Sequence, residues 1–213
     1  MKFLNFSKVL CLSPHPDDVE YSMLGTILKY TDTQFDILCL TKGGAKGFDP
    51  TNDQDRLQEV KNVWKEADTV NIKLLFSDCD YFQDKDGDAG WVNYIENNFL
   101  IDGSYDCIML PTVEDSMFEH RFVNGLGYAL TRVRPISLIE YHTPSTTNDW
   151  RPNIFIDIQK YFNKKVDCIM KFTSQVSKSY FNEVTLDAFH SNFQCRKKNV
   201  LTVEQFKILE LLD

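Results

Sequence analysis

The chain has 213 residues, with 31 acidic against 23 basic side chains and a formal net charge of −8, a balance that argues against non-specific affinity for nucleic acid or an anionic membrane surface. Its 43% hydrophobic content, including 16 Phe and 9 Tyr, suits one domain over residues 1–213 with a sizeable core that needs no metal or disulfide to fold. No run approaches the ~20 apolar residues of a transmembrane segment, and the first ten residues, MKFLNFSKVL, hold no apolar leader, so a cytoplasmic location is expected.

Strand-like apolar runs fall at 9–13, 35–41, 72–76, 107–110 and 136–141. Segments of helical composition separate them. The first, 20–30, carries Met23, Leu24, Ile27 and Leu28 at helical spacing; the second, 53–67, aligns Leu57, Val60, Val63 and Trp64 in one stripe. Two more helices are expected at 91–100 and 118–130. This alternation predicts an α/β, Rossmann-like domain with a mostly parallel sheet flanked by helices. Beyond Arg134-Pro135, an irregular loop at 143–153 leads to a short strand at 154–158. Helices are then expected at 159–176 and 201–212, the latter capped by Thr202 with Gln205 three residues on. The six cysteines, Cys11, Cys39, Cys79, Cys107, Cys168 and Cys195, are scattered with no CxxC pair, and buried free thiols are expected.

The segment from Ser13 to Glu20, SPHPDDVE, ends the first apolar run. It sets an imidazole and two adjacent carboxylates at a strand end, where α/β proteins build their sites. Such a group is costly to hold near a dry sheet edge without a cation to neutralise it. His15 and Asp18 lie three apart across a Pro16 turn and can aim at one ion, while Asp17 can face a metal-bound water. Of the remaining histidines, His120 follows the 107–110 strand in PTVEDSMFEHRF and converges with the first loop if the strands are parallel. Two imidazoles and a carboxylate suit zinc, and ferrous iron tolerates the same set. The stretch from Lys42 to Gly47, KGGAKG, is basic and flexible enough to touch a sugar or phosphate, and Lys42 is taken as a substrate contact.

PHPDDVE followed by Gly25-Thr26, LTKGGAKG, the Arg56 and Glu59 pair, EDSMFEHR and the run Lys171-Phe172-Thr173-Ser174-Gln175 together resemble the PIG-L/LmbE-like family of zinc-dependent N-deacetylases over nearly the whole chain. The resemblance implies an LmbE-like deacetylase fold, one Zn2+ on His15, Asp18 and His120, and Asp17 as general base. It also implies an amino-sugar substrate, with Arg56 close to it and Tyr141 as a substrate contact where a pocket-bordering loop begins, and it permits a homo-oligomer, dimer or hexamer. Gln175 falls in a terminal motif of architectural role. One departure stands out. Where the family commonly reads His-x-Asp-His, this chain has Met117-Phe118-Glu119-His120, and Met117 supplies neither proton nor charge. Met117 is therefore a substrate-side position, Glu119 and the nearby Asp115 are candidates to support a ligand from behind, and His142 and Arg121 are candidates to replace the missing donor.

Three readings stay open beside N-deacetylation of a sugar, nucleotide, lipid or glycoside conjugate. One is hydrolysis of formyl or another small acyl group. Another is a metal-containing carbohydrate-binding protein impaired in catalysis by Met117. The third, a nucleotide-binding Rossmann protein, suffers from the lack of GxGxxG after the first strand and from carboxylates that would repel a pyrophosphate.

Overall fold

A computed structural model describes residues 1–43, 53–100, 104–132, 134–191 and 202–212, with residues 53–55 described in their backbone only. Five parallel strands, β1 (Lys8–Ser13), β2 (Gln34–Cys39), β3 (Ile72–Phe76), β4 (Cys107–Pro111) and β5 (Ser137–Tyr141), share one sheet with β6 (Ile154–Asp157) and β7 (Val203–Glu210). The order across the sheet is β3-β2-β1-β4-β5-β7-β6, and β7 runs antiparallel to both β5 and β6. From β1 the chain winds outward through β2 to β3, then returns to place β4 on the other side of β1. That reversal makes the carboxyl ends of β1 and β4 the switch point at which a doubly wound sheet opens a crevice.

The strands read as nearly continuous apolar runs because both faces are covered. Along β1, Val9 and Cys11 face one core, with Tyr21, Ile27, Trp64 and Phe206, while Leu10 and Leu12 face the other, with Trp91, Leu126 and Leu138. Helices α1 (Asp18–Lys29), α2 (Asp53–Ala67) and α5 (Phe162–Ile169) pack together, and α3 (Gly87–Phe99) packs with α4 (Phe118–Leu130). A sixth helix, α6 (Glu183–His190), has its first turn capped by Asn182, whose side chain accepts from the Thr185 amide at 3.0 Å. Cys11, Cys39, Cys79, Cys107 and Cys168 are buried free thiols, and Cys195 lies outside the described residues.

Two expectations are corrected. Residues 202–212 form no helix; β7 occupies that stretch, with residue 201 outside the described set. The apolar positions Val203, Phe206, Leu209 and Leu212 mimic helical spacing because one inward position of the strand is a charge, fully buried Glu204. Its carboxylate accepts from the Lys165 ammonium at 2.6 Å and from the amides of Gly25 and Thr26. A β-carbon at Gly25 would lie 2.9 Å from the Ile158 side chain and 3.0 Å from Glu204 Oε1, so this glycine is what lets α1 approach so closely. The helix expected at 159–176 is also shorter, ending at Ile169 and followed by a 3-10 turn at Thr173–Gln175. That turn is held from α2. Glu59 accepts from Thr173 Oγ1 at 2.7 Å, the Ser174 amide at 2.7 Å and Ser174 Oγ at 2.6 Å.

Candidate metal centre and its cavity

His15, Asp17 and Asp18 sit where β1 gives way to α1, and His120 lies in the first turn of α4, just beyond β4. The switch point therefore gathers residues about a hundred positions apart. One ligand atom each from His15, Asp18 and His120 lie within 4.8 Å of one another, a spacing that can hold a metal ion. Asp18 Oδ2 accepts from the His15 amide at 2.9 Å and stands 3.2 Å from His15 Nδ1. Asp18 Oδ1 lies 3.3 Å from His120 Nε2.

The orientation of His120 is fixed from behind. Its Nδ1 is 3.0 Å from Asp115 Oδ2, and Thr143 Oγ1 donates to the same oxygen at 2.8 Å. Burial opposes ionisation of Asp115, but His120 outweighs it and holds that carboxyl below its ordinary range. An ionised carboxylate only accepts, so His120 Nδ1 carries a proton and Nε2 is the nitrogen left to face the cavity as a ligand for a metal. Nε2 is buried and has no hydrogen-bond partner among the described residues. An orphaned imidazole nitrogen facing a second imidazole and a carboxylate is the donor set a divalent ion requires. In the metal-free protein, burial works against protonation of His120, yet the charges of Asp18 and Asp115 push its pKa up to about 10. Asp18 is driven the opposite way: burial raises its pKa, and the two imidazoles more than reverse that.

Asp17 points elsewhere, as its place beside Asp18 requires. Its backbone adopts φ 132°, a left-handed conformation unfavourable for a side-chain-bearing residue, and its carbonyl still accepts the Tyr21 amide at 2.8 Å. The carboxylate is gripped by Arg56 of α2, whose Nη2 donates to Asp17 Oδ2 at 3.1 Å and to the Pro16 carbonyl at 2.9 Å. Arg56 Nη1 donates to the Gly43 carbonyl. Gly43 has φ 89°, and a β-carbon there would overlap the guanidinium, which accounts for glycine at this point of the KGG stretch. Residues 44–47 lie outside the described residues. Burial raises the pKa of Asp17; Arg56 restrains the rise and Asp18 adds to it.

These groups open onto a cavity of about 290 Å³. Its wall includes His15, Asp17, Asp18, Arg56, His120 and Met117, and also Glu119, which the sequence reading sets behind a ligand instead; Asp115 does pack directly behind His120. Tyr141 and Lys42 are corrections. Tyr141 is fully buried and its hydroxyl donates to the Leu12 carbonyl at 2.7 Å, so it ties β5 to β1, and the residues after it reach the cavity instead. Lys42 is paired with Asp80 and lies off the cavity wall. Neither proposed replacement for the missing donor faces the cavity. Arg121 Nη1 donates to the Asp115 carbonyl at 2.6 Å, and the buried His142 ring is sandwiched between Phe189 and Trp150 at centroid distances of 4.1 and 4.7 Å.

Sequence reasoning missed Thr143, Ser145, Tyr21, Lys178 and Tyr180, all on the cavity wall. The hydroxyl-rich TPSTT following a parallel strand was a usable signal for the first two. Nothing local marks Lys178 and Tyr180, which arrive from the far end of the chain.

The chain matches the family model PIG-L, described as GlcNAc-PI de-N-acetylase, over residues 10–131. A 77-residue segment is 33% identical to the diacetylchitobiose deacetylase of Thermococcus kodakarensis, covering 34% of this chain and only 29% of that protein's length. Among solved structures, the N,N'-diacetylchitobiose deacetylase of Pyrococcus horikoshii superposes with TM-score 0.72 at 21% identity, over 98% of this chain and 85% of that one. The 4-carboxy-2-hydroxymuconate hydratase GalB of Pseudomonas putida KT2440 superposes with TM-score 0.69 at 13% identity, over 100% and 98%. Such identities speak to the fold, which carries more than one chemistry. The family match spans more than half of the chain and includes His15, Asp17, Asp18, Arg56 and His120, and on that ground the chain belongs to the PIG-L family.

Proposed function

We propose that the protein is a zinc-dependent amide hydrolase that removes the N-acetyl group from an amino sugar or one of its conjugates. The observation that carries this reading is the pairing of two neighbours with different tasks: Asp18 joins His15 and His120 in a metal-competent cluster, while Asp17, free of that cluster, is held by Arg56 at the same cavity. A cavity near the small end of the roughly 300–1,000 Å³ typical of ligand sites suits a compact substrate. Two imidazoles and one carboxylate leave room for water in a tetrahedral zinc shell, as hydrolytic zinc sites require.

Zinc held by His15, Asp18 and His120 would acidify a water and polarise the amide carbonyl. Asp17 accepts the proton of the attacking water and returns it to the departing nitrogen, so that acetate and a free amine leave. Burial gives this carboxylate an affinity for a proton that an exposed aspartate lacks, and Arg56 restrains that rise. Asp115 and Thr143 keep the His120 ring aimed into the cavity. Met117 lines that cavity where the family commonly has an imidazole and offers no donor to a developing oxyanion, whose stabilisation would then fall to a bound metal.

The test is amine release from N-acetyl and N-formyl amino sugars and their nucleotide forms by protein of known metal content. Release that follows zinc content and disappears in Asp17→Asn supports the reading. Stoichiometric zinc with no amine from any of them would favour a binding role instead.

A further inference from the structure

We infer that Lys178 is a specificity-determining residue that receives the anionic group of an N-acylated amino sugar carrying a phosphate or a carboxylate; the inference rests on the amino-sugar reading of the cavity. Lys178 lies on a strap, residues 173–181, that crosses from α2 to α1 and forms one wall of the cavity. Both ends of the strap are fastened. At one end Glu59, itself nearly buried, takes three hydrogen bonds from Thr173 and Ser174. At the other the Tyr21 hydroxyl donates to the Tyr180 carbonyl at 2.9 Å, and Phe181 is buried. Within it, the Lys178 amide donates to the Gln175 carbonyl and the Phe181 amide to the Lys178 carbonyl, at 2.9 and 3.0 Å. The lysine is thereby placed at the cavity by a closed set of bonds, and Glu59 sits one helical turn from Arg56, so α2 fixes both walls.

The chemistry of the wall leaves Lys178 a defined task. Arg56, the other cation there, is committed to Asp17, Pro16 and Gly43. Elsewhere lysines find carboxylates, as Lys85 does with Asp78, Lys164 with Glu66 and Lys207 with Glu114. Lys178 makes no ion pair among the described residues; its ammonium lies 5.7 Å from the Tyr180 ring centroid. It lines the same cavity as Asp17, so its charge faces that space. An ammonium offers three donors and no acceptor, so its best partner is an anion. The acidic groups of the cavity, Asp17, Asp18 and Glu119, come from α1, its preceding turn and α4, so an anionic substituent is favoured on the strap side alone.

Isothermal titration of the chelator-treated full chain at low salt tests this without turnover, using N-acetylglucosamine, its 1-phosphate and 6-phosphate, N-acetylmuramic acid and inorganic phosphate. At least one anionic sugar should bind about tenfold more tightly than the neutral sugar, as a charge-assisted hydrogen bond allows. Lys178→Gln should bring the two within about twofold, Lys178→Arg should keep the preference, and the phosphate and carboxylate sugars identify which anion is served. Equal affinities, a preference that survives Lys178→Gln, inorganic phosphate binding as well as any sugar, or no sugar binding at all would each overturn the inference. Amine release by the zinc form is scored separately. Turnover of the neutral sugar with no anionic preference would sink this inference and keep the hydrolase, whereas an anionic preference with no turnover would do the reverse.

Discussion

Arg56 and Asp17, 39 positions apart, form a buried pair in which one guanidinium nitrogen spans the Asp17 carboxylate at 3.1 Å and the Pro16 carbonyl at 2.9 Å. The bond to Pro16 matters as much as the ion pair, because it braces a turn whose next residue sits at φ 132°. A strained backbone persists where its surroundings over-determine it, and here they set a buried carboxylate beside the His15, Asp18 and His120 cluster.

Arg56→Met should therefore act on stability and on catalysis together. Leaving a buried carboxylate unpaired costs about 3 kcal/mol, visible as a lower urea midpoint. Removing the cation also raises the pKa of Asp17, and since the ionised form accepts the proton, the acid limb of the pH–rate profile should move to higher pH. A profile that does not shift would separate Arg56 from the base.

Asp17→Asn should retain zinc at the wild-type stoichiometry, as Asp17 is not among the clustered ligands, while turnover falls about 100-fold or more. Elemental analysis and amine release on the same preparation decide it. Lost zinc would instead make Asp17 a ligand.

Zinc should raise the melting temperature of the wild-type chain in proportion to the logarithm of its excess over Kd. In Asp18→Asn or His120→Gln that rise should shrink sharply. Asp115→Asn should weaken zinc binding by about 10- to 100-fold, through loss of the bond that orients His120. A thermal shift that none of these substitutions changes would put the ion elsewhere.

His142 yields a pH signature unrelated to the metal. Burial between Trp150 and Phe189 drives its pKa down to about 3, with the nearby Gln205 backbone resisting and Lys165 assisting. The unfolded chain binds this proton below about pH 6.5 and the folded one does not, so stability is intact above that pH and falls as pH drops toward 3. The slope is about 1.4 kcal/mol per pH unit for one such histidine. His142→Phe should flatten the denaturant-measured stability between pH 6 and pH 4, and an unchanged slope would assign the acid sensitivity to His190 or the carboxylates.

Lys165→Met should cost about 3 kcal/mol, because Glu204 stays buried with only the Gly25 and Thr26 amides to meet its charge. Equilibrium unfolding at neutral pH measures it. A variant as stable as wild type would show that those two amides suffice.

The parts of the protein legible in the sequence are those fixed by short-range patterning. Apolar runs and helical stripes located β1 to β6 and α1 to α4 within a few residues, and their alternation pointed to a mostly parallel sheet with its site at the strand ends. His15, Asp17 and Asp18 were readable because one turn at one strand end holds all three, and His120 because it follows the neighbouring strand. Tertiary structure decided what depends on partners distant in the chain. Strand β7 was hidden because Glu204, polar in sequence, is an inward residue once Lys165 and the α1 amides surround it. Tyr141 is a substrate contact by the family resemblance, yet strand pleating turns it into the sheet, and Thr143 and Ser145 are the ones that emerge. The strap bearing Lys178 reaches the cavity through Glu59, more than a hundred residues earlier, a contact with no local periodicity to announce it. Local propensity sets which elements form; the sheet order and the pairing of buried charges set which side chains meet.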